Sequence, residues 1–245
     1  FLFGFVNYAL SMAFAFLGFG LWLRLGRLGR SKLRAALFVP ISIIIWLTHT
    51  FGWGTLGVLA ASAELIREHD KRRNWFAAAF HAGLHCLVLA PPALLMLLWR
   101  SGGHVGGQTA DWFNWRAKML WMTMTLRDRW QLYDLASVAV FYLVLFKGLR
   151  DPNIGYSRNL GLSALFLIAV YILLPRIVFG SAYADMRLVP YLFGICLIAL
   201  RPKPGTSIRH ASVLAAIGLA IFVGRIGATT ASFWLYDRDY DRELA

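Results

Sequence analysis

The run Leu162-Ser163-Ala164-Leu165-Phe166-Leu167-Ile168-Ala169-Val170-Tyr171-Ile172-Leu173-Leu174 decides the fold class. It carries no charge and shows no alternation of apolar and polar residues. A membrane β-barrel strand alternates over about 10 positions. Backbone in hydrocarbon that is not closed into a barrel must satisfy its hydrogen bonds internally, as helix. Similar blocks recur along the chain, several near the roughly 20 residues a helix needs to cross a bilayer. The composition points the same way: 59% of residues are hydrophobic and only 15% charged, with a mean hydropathy of +0.59. A soluble domain carries roughly 25% charged residues. The expectation is an all-α, polytopic transmembrane helical bundle.

Outward from that run, charged flanks divide the apolar blocks into about seven spans. They are Phe1–Leu23, one span within Ala35–Ile66, Trp75–Trp99, Leu132–Phe146, Leu160–Val178, Leu188–Leu200 and Ala211–Leu235. In the second block, Pro40, Gly52 and Gly54 are the places for a kink, and Pro91-Pro92 breaks the third. The longest polar interval opens with glycine-rich loop residues 101–107. It continues with Trp112, Trp115, Met119, Met122 and Leu126, spaced by three or four among basic residues. That spacing predicts an interfacial amphipathic helix. A transmembrane domain over residues 1–236 would then be followed by a polar tail, 237–245, where a soluble domain could begin. Phe1 opens inside an apolar run with no charged segment before it, so it does not read as a signal peptide. The expectation is a piece of a longer protein. No internal repeat is visible.

The formal net charge is +13, from 25 Lys+Arg and 12 Asp+Glu. The basic residues sit in short clusters between apolar blocks, which suits anionic headgroups rather than nucleic acid. The lipid bilayer is therefore the expected partner. Basic residues inside short loops mark the cytoplasmic side, yet a seven-span layout puts Arg24–Arg34 and Arg100–Arg129 on one side and Arg67–Arg73 and Arg201–Arg209 on the other. Orientation stays open at this level. Cys86 and Cys196 lie within apolar blocks and read as small packed side chains, not as a disulfide or metal framework.

Ionisable groups inside apolar blocks are the functional markers of a membrane chain. His49, in Thr48-His49-Thr50-Phe51-Gly52-Trp53-Gly54, either faces a cavity or bonds across helices that the glycines let approach. Glu64 is a cavity group or the partner of a basic residue in the next loop. His81 and His85 share a helical face with Cys86 following, but no glutamate stands between them as in the zinc-protease motif. They read as packing or cavity lining. No metal or cofactor is expected, and a divalent ion is not indicated. Asp134 caps or anchors its helix. The segment Pro175–Arg187 holds Arg176, Asp185 and Arg187 around Gly180. Arginine forks bind phosphate, or an internal Asp185–Arg pair fixes the loop. Arg225, deep in the last span, must pair, snorkel or meet water, with Asp185 or Glu64 as partner.

The pattern Leu174-Pro175-Arg176…Gly180-Ser181…Ala184-Asp185-Met186-Arg187-Leu188 resembles the bacterial multi-spanning proteins related to the C-type glycosyltransferase (GT-C) superfamily. Gly4-Phe5-Val6-Asn7-Tyr8, His49 with its glycines, Ala63-Glu64, Lys118 and Trp234-Leu235-Tyr236-Asp237 fit the same pattern. The resemblance implies transfer of a sugar from a polyprenyl-phosphate donor at the outer face of the bacterial inner membrane. It also implies a catalytic carboxylate in a loop N-terminal to this chain, so no catalytic residue is assigned here. Arg176, Asp185, Arg187 and Arg225 are the phosphate-binding candidates. His49, Glu64, His81, His85 and Asp134 are the cavity-lining ones. A transporter or flippase for a lipid-linked or anionic substrate, and a non-catalytic membrane assembly subunit, are the alternatives.

Overall fold

A computed structural model of the chain describes residues 6–101 and 107–244. The glycine-rich loop expected at 101–107 and the Gly4-Phe5 part of the first block fall largely or wholly outside these residues. The fold is nearly all helix: α1 (Val6–Arg27), α2 (Ser31–Thr48), α3 (Thr50–Asp70), α4 (Trp75–Cys86), α5 (Pro91–Ser101), α6 (Trp115–Met124), α7 (Gln131–Arg150), α8 (Arg158–Leu173), α9 (Val189–Ala199) and α10 (Ile208–Leu244). The short strands β1 (Ile154–Tyr156) and β2 (Leu200–Pro202) pair antiparallel, with Gly155 opposite Arg201. Residues 237–244 continue α10 as helix. The chain divides into two compact units: Phe1–Met119 with Ser157–Ala199, and Leu120–Tyr156 with Leu200–Ala245.

Among the described residues, four helices are long and apolar enough to cross a bilayer, namely α1, α2, α7 and the Ala215–Glu243 part of α10. A fifth span results if α4 and α5, bent by 62° across the break at the prolines, count as one. The chain is thus a membrane protein, but the expected seven spans are not found. Helix α8 has 16 residues and α9 has 11. At ~1.5 Å per residue both fall short of a hydrocarbon core ~30 Å thick. At the α4–α5 break neither Pro91 nor Pro92 can donate a backbone hydrogen bond. The Trp53 indole donates to the Leu89 carbonyl there at 2.8 Å.

The largest correction concerns the block Ala35–Ile66. It is not one kinked span. The helix continues past Pro40 and stops at His49, whose backbone is extended (φ −170°, ψ 133°). Helix α3 then returns beside α2. The Arg34 guanidinium in the first turn of α2 meets Glu64, near the far end of α3, at 2.7 Å. The segments Arg24–Arg34 and Arg67–Arg73 therefore share one end of the first unit. The glycine expectation holds at Gly52, where an added Cβ would lie 2.7 Å from both Cβ and carbonyl oxygen of Ser11. Backbones of α1 and α3 approach there because no side chain intervenes.

Helix α3 is the centre of the first unit, packed by α1, α2, α4 and α8. Its Leu56, Leu59, Ala60 and Ala63 are buried with Trp22, Phe38, Ile45 and Leu167. Outward positions such as Leu17, Leu47 and Phe76 are exposed, as expected where the surrounding solvent is hydrocarbon rather than water. Helix α6 is shorter than the 112–126 reading. It buries Ala117 and Lys118 and exposes Trp115, Met119 and Leu120.

Candidate functional site

Five segments of the first unit meet around Arg187. The residue sits in a one-turn 3-10 helix, Met186–Leu188, capped by the Asp185 carboxylate, which accepts from the Met186 N–H at 2.9 Å. Its carbonyl accepts from the Tyr8 hydroxyl at 2.5 Å, and its guanidinium donates to Ser181 Oγ at 2.9 Å. The same guanidinium lies 5.8 Å from the centre of the Phe51 ring. His49 stands edge-on to Tyr8 at 5.6 Å and tilted to Phe51 at 5.7 Å. Tyr191 crosses Tyr8 at 5.9 Å, and its hydroxyl is 3.4 Å from Ser11 Oγ.

His49 owes its place to the helix break. Its Nδ1 accepts from the Phe51 N–H at 3.1 Å, so the imidazole caps the first turn of α3. Burial, and then the nearby Arg187 charge, lower its pKa from the ordinary imidazole value. It stays neutral near pH 7, consistent with an accepting Nδ1. Burial also lowers the Arg187 pKa, partly offset by Tyr8.

The loop between α8 and α9 is pinned to residues 107–111. Ala110 and Ile177 form an antiparallel bridge, and the Gly180 N–H donates to the Gln108 carbonyl at 3.0 Å. Asp111, Phe113, Phe179 and Tyr183 all have positive φ, between 50° and 62°. Such conformations are costly for residues with a Cβ, and they concentrate where geometry is imposed by function.

Among the loop's charges, Asp185 meets a lysine from α6. Asp185 is fully buried and lies 3.5 Å from the Lys118 ammonium. Lys118 donates to the carbonyls of Tyr171 and Leu174, both at 2.7 Å, closing the C-terminal end of α8. Arg176 pairs with Asp111 at 3.4 Å. The expected internal Asp185–Arg pair named neither Lys118 nor Asp111.

Glu64 lies at the opposite end of the unit. It is fully buried, accepts from the Trp22 indole at 2.9 Å and from both Arg34 nitrogens at 2.7 and 3.3 Å, and also pairs with Arg67. One turn on, Glu68 pairs with Lys71 at 2.7 Å, Arg73 at 2.8 Å and His85 at 3.3 Å. Burial pushes the Glu68 pKa up, but these cations outweigh it and hold the carboxyl below its ordinary value. One potential ligand atom from each of Glu64, Glu68 and His85 falls within a 4.8 Å cluster. Carboxylate and imidazole are suitable metal donors, yet Arg34, Arg67, Lys71 and Arg73 already neutralise the carboxylates. His81 is not part of this cluster and stands edge-on to Phe80 at 5.7 Å.

In the second unit Arg225 meets Asp134 at 2.7 Å and the Leu126 carbonyl at 2.6 Å. Its partner is therefore neither Asp185 nor Glu64. Asp134 does more than favour the start of α7, since its other oxygen accepts from the Asp128 N–H at 2.7 Å.

The sequence candidates thus fall into separate groups: His49 with Arg187, Asp185 with Lys118, Arg176 with Asp111, Glu64 and Glu68 with His85, and Asp134 with Arg225. Ser11 and Tyr191 are absent from the sequence candidates, and Tyr8 enters there only as the end of the Gly4–Tyr8 piece of the resemblance. Polar Tyr8 and Ser11, three apart in an apolar run, were the available signal for a polar face on α1. Comparison with protein-family models, curated proteins and solved structures returns no match for the chain.

Proposed function

We propose that this chain belongs to a membrane glycosyltransferase-like protein that uses a polyprenyl-phosphate sugar donor, with Arg187 as the group that meets the donor phosphate. The observation that carries this reading is the Arg187 cluster itself. A half-buried guanidinium donates to Ser181 and lies against the Phe51 ring, while the Tyr8 hydroxyl holds the Arg187 backbone carbonyl and His49 stands against both aromatic rings. A guanidinium in that setting is suited to a phosphate oxygen. The polyprenyl carrier and the outer face of the bacterial inner membrane come from the resemblance of residues 174–188, and the cytoplasmic assignment of the opposite, arginine-rich end agrees with it.

In an inverting transfer, an acceptor hydroxyl attacks the anomeric carbon as the bond from that carbon to phosphate oxygen breaks. The polyprenyl phosphate leaves with the electron pair, and Arg187 stabilises the charge it gains. A carboxylate, not assigned to any residue named here, takes the acceptor proton. Asp185, held by Lys118 and the Met186 N–H, positions the loop. The experiment is incorporation of labelled sugar from a polyprenyl donor in membranes carrying the full-length protein. Arg187→Ala is expected to lower it by about a hundredfold or more, with insertion and melting unchanged. Normal incorporation by that variant would sink the phosphate role.

One observation favours a transporter as the second reading. The α2–α3 turn at His49 sets the N-terminus of α3 beside the polar cluster, and a helix N-terminus favours an anionic group. Flux of a labelled anion into vesicles, without sugar transfer, would select it.

A further inference from the structure

An apolar groove of about 250 Å³ lies between α1, α8 and α9, lined by Phe16, Gly20, Leu23, Leu160, Gly194 and Ile198. Its inner end is closed. The Phe16 ring fills the space over Gly194, where an added Cβ would lie 2.9 Å from the ring tip, and stands 5.7 Å from Tyr191. Over Gly20 the groove is open, since a Cβ there would meet no atom within 4 Å. Two absent side chains therefore make the groove: Gly194 seats its floor and Gly20 leaves its mouth free.

The groove leads to the arginine-rich end of the unit. Phe16, Gly20, Leu23 and Arg27 recur at helical spacing on one stripe of α1, and Arg24 lies four residues after Gly20. Arg24 and Arg27 occupy the last turn of α1 and are exposed. Arg158 opens α8 two residues before Leu160, paired with Asp70 at 2.7 Å. A ligand that fits must be apolar along the groove and anionic at the Arg24–Arg27 end. Its apolar part has room for ~8 water-sized groups at ~30 Å³ each, which suits a stretch of one hydrocarbon chain and not a second helix.

We infer that this groove is a binding site for one acyl chain of an anionic phospholipid, whose headgroup phosphate sits against Arg24 and Arg27. Its headgroup end, at Arg24 and Arg27, is at the opposite end of the unit from Arg187, and the inference does not depend on the glycosyltransferase reading. It would fasten α1 to α8 and α9 where the lining leaves them apart.

The test is native mass spectrometry of the detergent-purified chain titrated separately with phosphatidylglycerol and phosphatidylcholine. The wild type should hold one phosphatidylglycerol, and hold it roughly tenfold or more tightly than phosphatidylcholine, because two arginines each add attraction for an anionic headgroup. Arg24→Gln with Arg27→Gln should erase that preference. Gly20→Phe, filling the open mouth, should weaken both lipids while melting in lipid-free detergent stays unchanged. Ile198→Trp fills the groove from α9 and serves should Gly20→Phe misfold. Equal affinity for the two lipids in the wild type would overturn the inference. So would undiminished phosphatidylglycerol binding by a folded groove-filled variant, or a dimer that dissolves in that variant while lipid binding persists.

Discussion

Glu64 is a buried carboxylate that serves donors from three helices of the first unit. Its two oxygens serve Trp22, Arg34 and Arg67, and both Glu64 and Arg34 are almost wholly withdrawn from solvent. A buried charge that loses its partner costs about 3–5 kcal/mol, whereas a partly exposed pair contributes ~1 kcal/mol or less. Glu64→Gln should therefore lower the thermal midpoint in detergent far more than Arg67→Gln, whose side chain is 24% exposed. Equal shifts would show that Arg34 finds another acceptor. The pairing of Glu64 with a basic neighbour was legible from Ala63-Glu64 standing just before Arg67. Arg34 was not, because it comes from an earlier flank that a single-span reading sends to the other side. Tyr8 and Tyr191 were hidden for a different reason. Their rings count as apolar in a hydropathy pattern, and only their hydroxyls reveal the polar cluster.

At the scale of elements, what decides the first unit is that a run of 32 residues, Ala35–Ile66, folds back on itself at one residue. Hydropathy sees continuous apolar sequence and no turn residue at His49, since an extended histidine that caps the next helix leaves no compositional mark. Pro40, the conspicuous breaker, sits inside α2. The prolines at 91 and 92 were legible, because two consecutive residues without an N–H cannot continue a helix. Gly52 was legible as a close-approach site but not as one facing Ser11. That contact gives a sharp expectation. Gly52→Ala puts a Cβ 2.7 Å from Ser11 backbone and side chain, forcing α1 and α3 apart at a cost of about 1–3 kcal/mol. Gly54→Ala, on the same helix with nothing within 4 Å, should be neutral or stabilising by up to ~1 kcal/mol. Melting of the two variants in one detergent checks the difference, and similar behaviour would mean that the α1–α3 approach is looser than the distance implies.

For the whole molecule, the net charge of +13 has meaning only once its distribution is known, and the α2–α3 turn supplies that for the first unit. With α2 and α3 running antiparallel, Arg24–Arg34 and Arg67–Arg73 stop cancelling and add at one end, while the Arg187 end balances Arg176 with Asp111 and Lys118 with Asp185. Within the first unit, reading Ala35–Ile66 as one crossing is what set these two basic segments on opposite sides. Lysine and arginine near span ends stay in the cytoplasm, so residues 24–34 and 67–73 are expected inside and the 175–188 loop outside. Single cysteines in a background carrying Cys86→Ser and Cys196→Ser check this with a membrane-impermeant maleimide on intact cells. Lys32→Cys and Arg72→Cys should react only after the cells are opened, and Ala182→Cys, exposed in the loop, should react before. Labelling of Lys32→Cys and Arg72→Cys from opposite sides would restore a single span over Ala35–Ile66. Labelling of both from outside would keep the α2–α3 turn, reverse the orientation and remove the outer-face setting on which the Arg187 proposal relies.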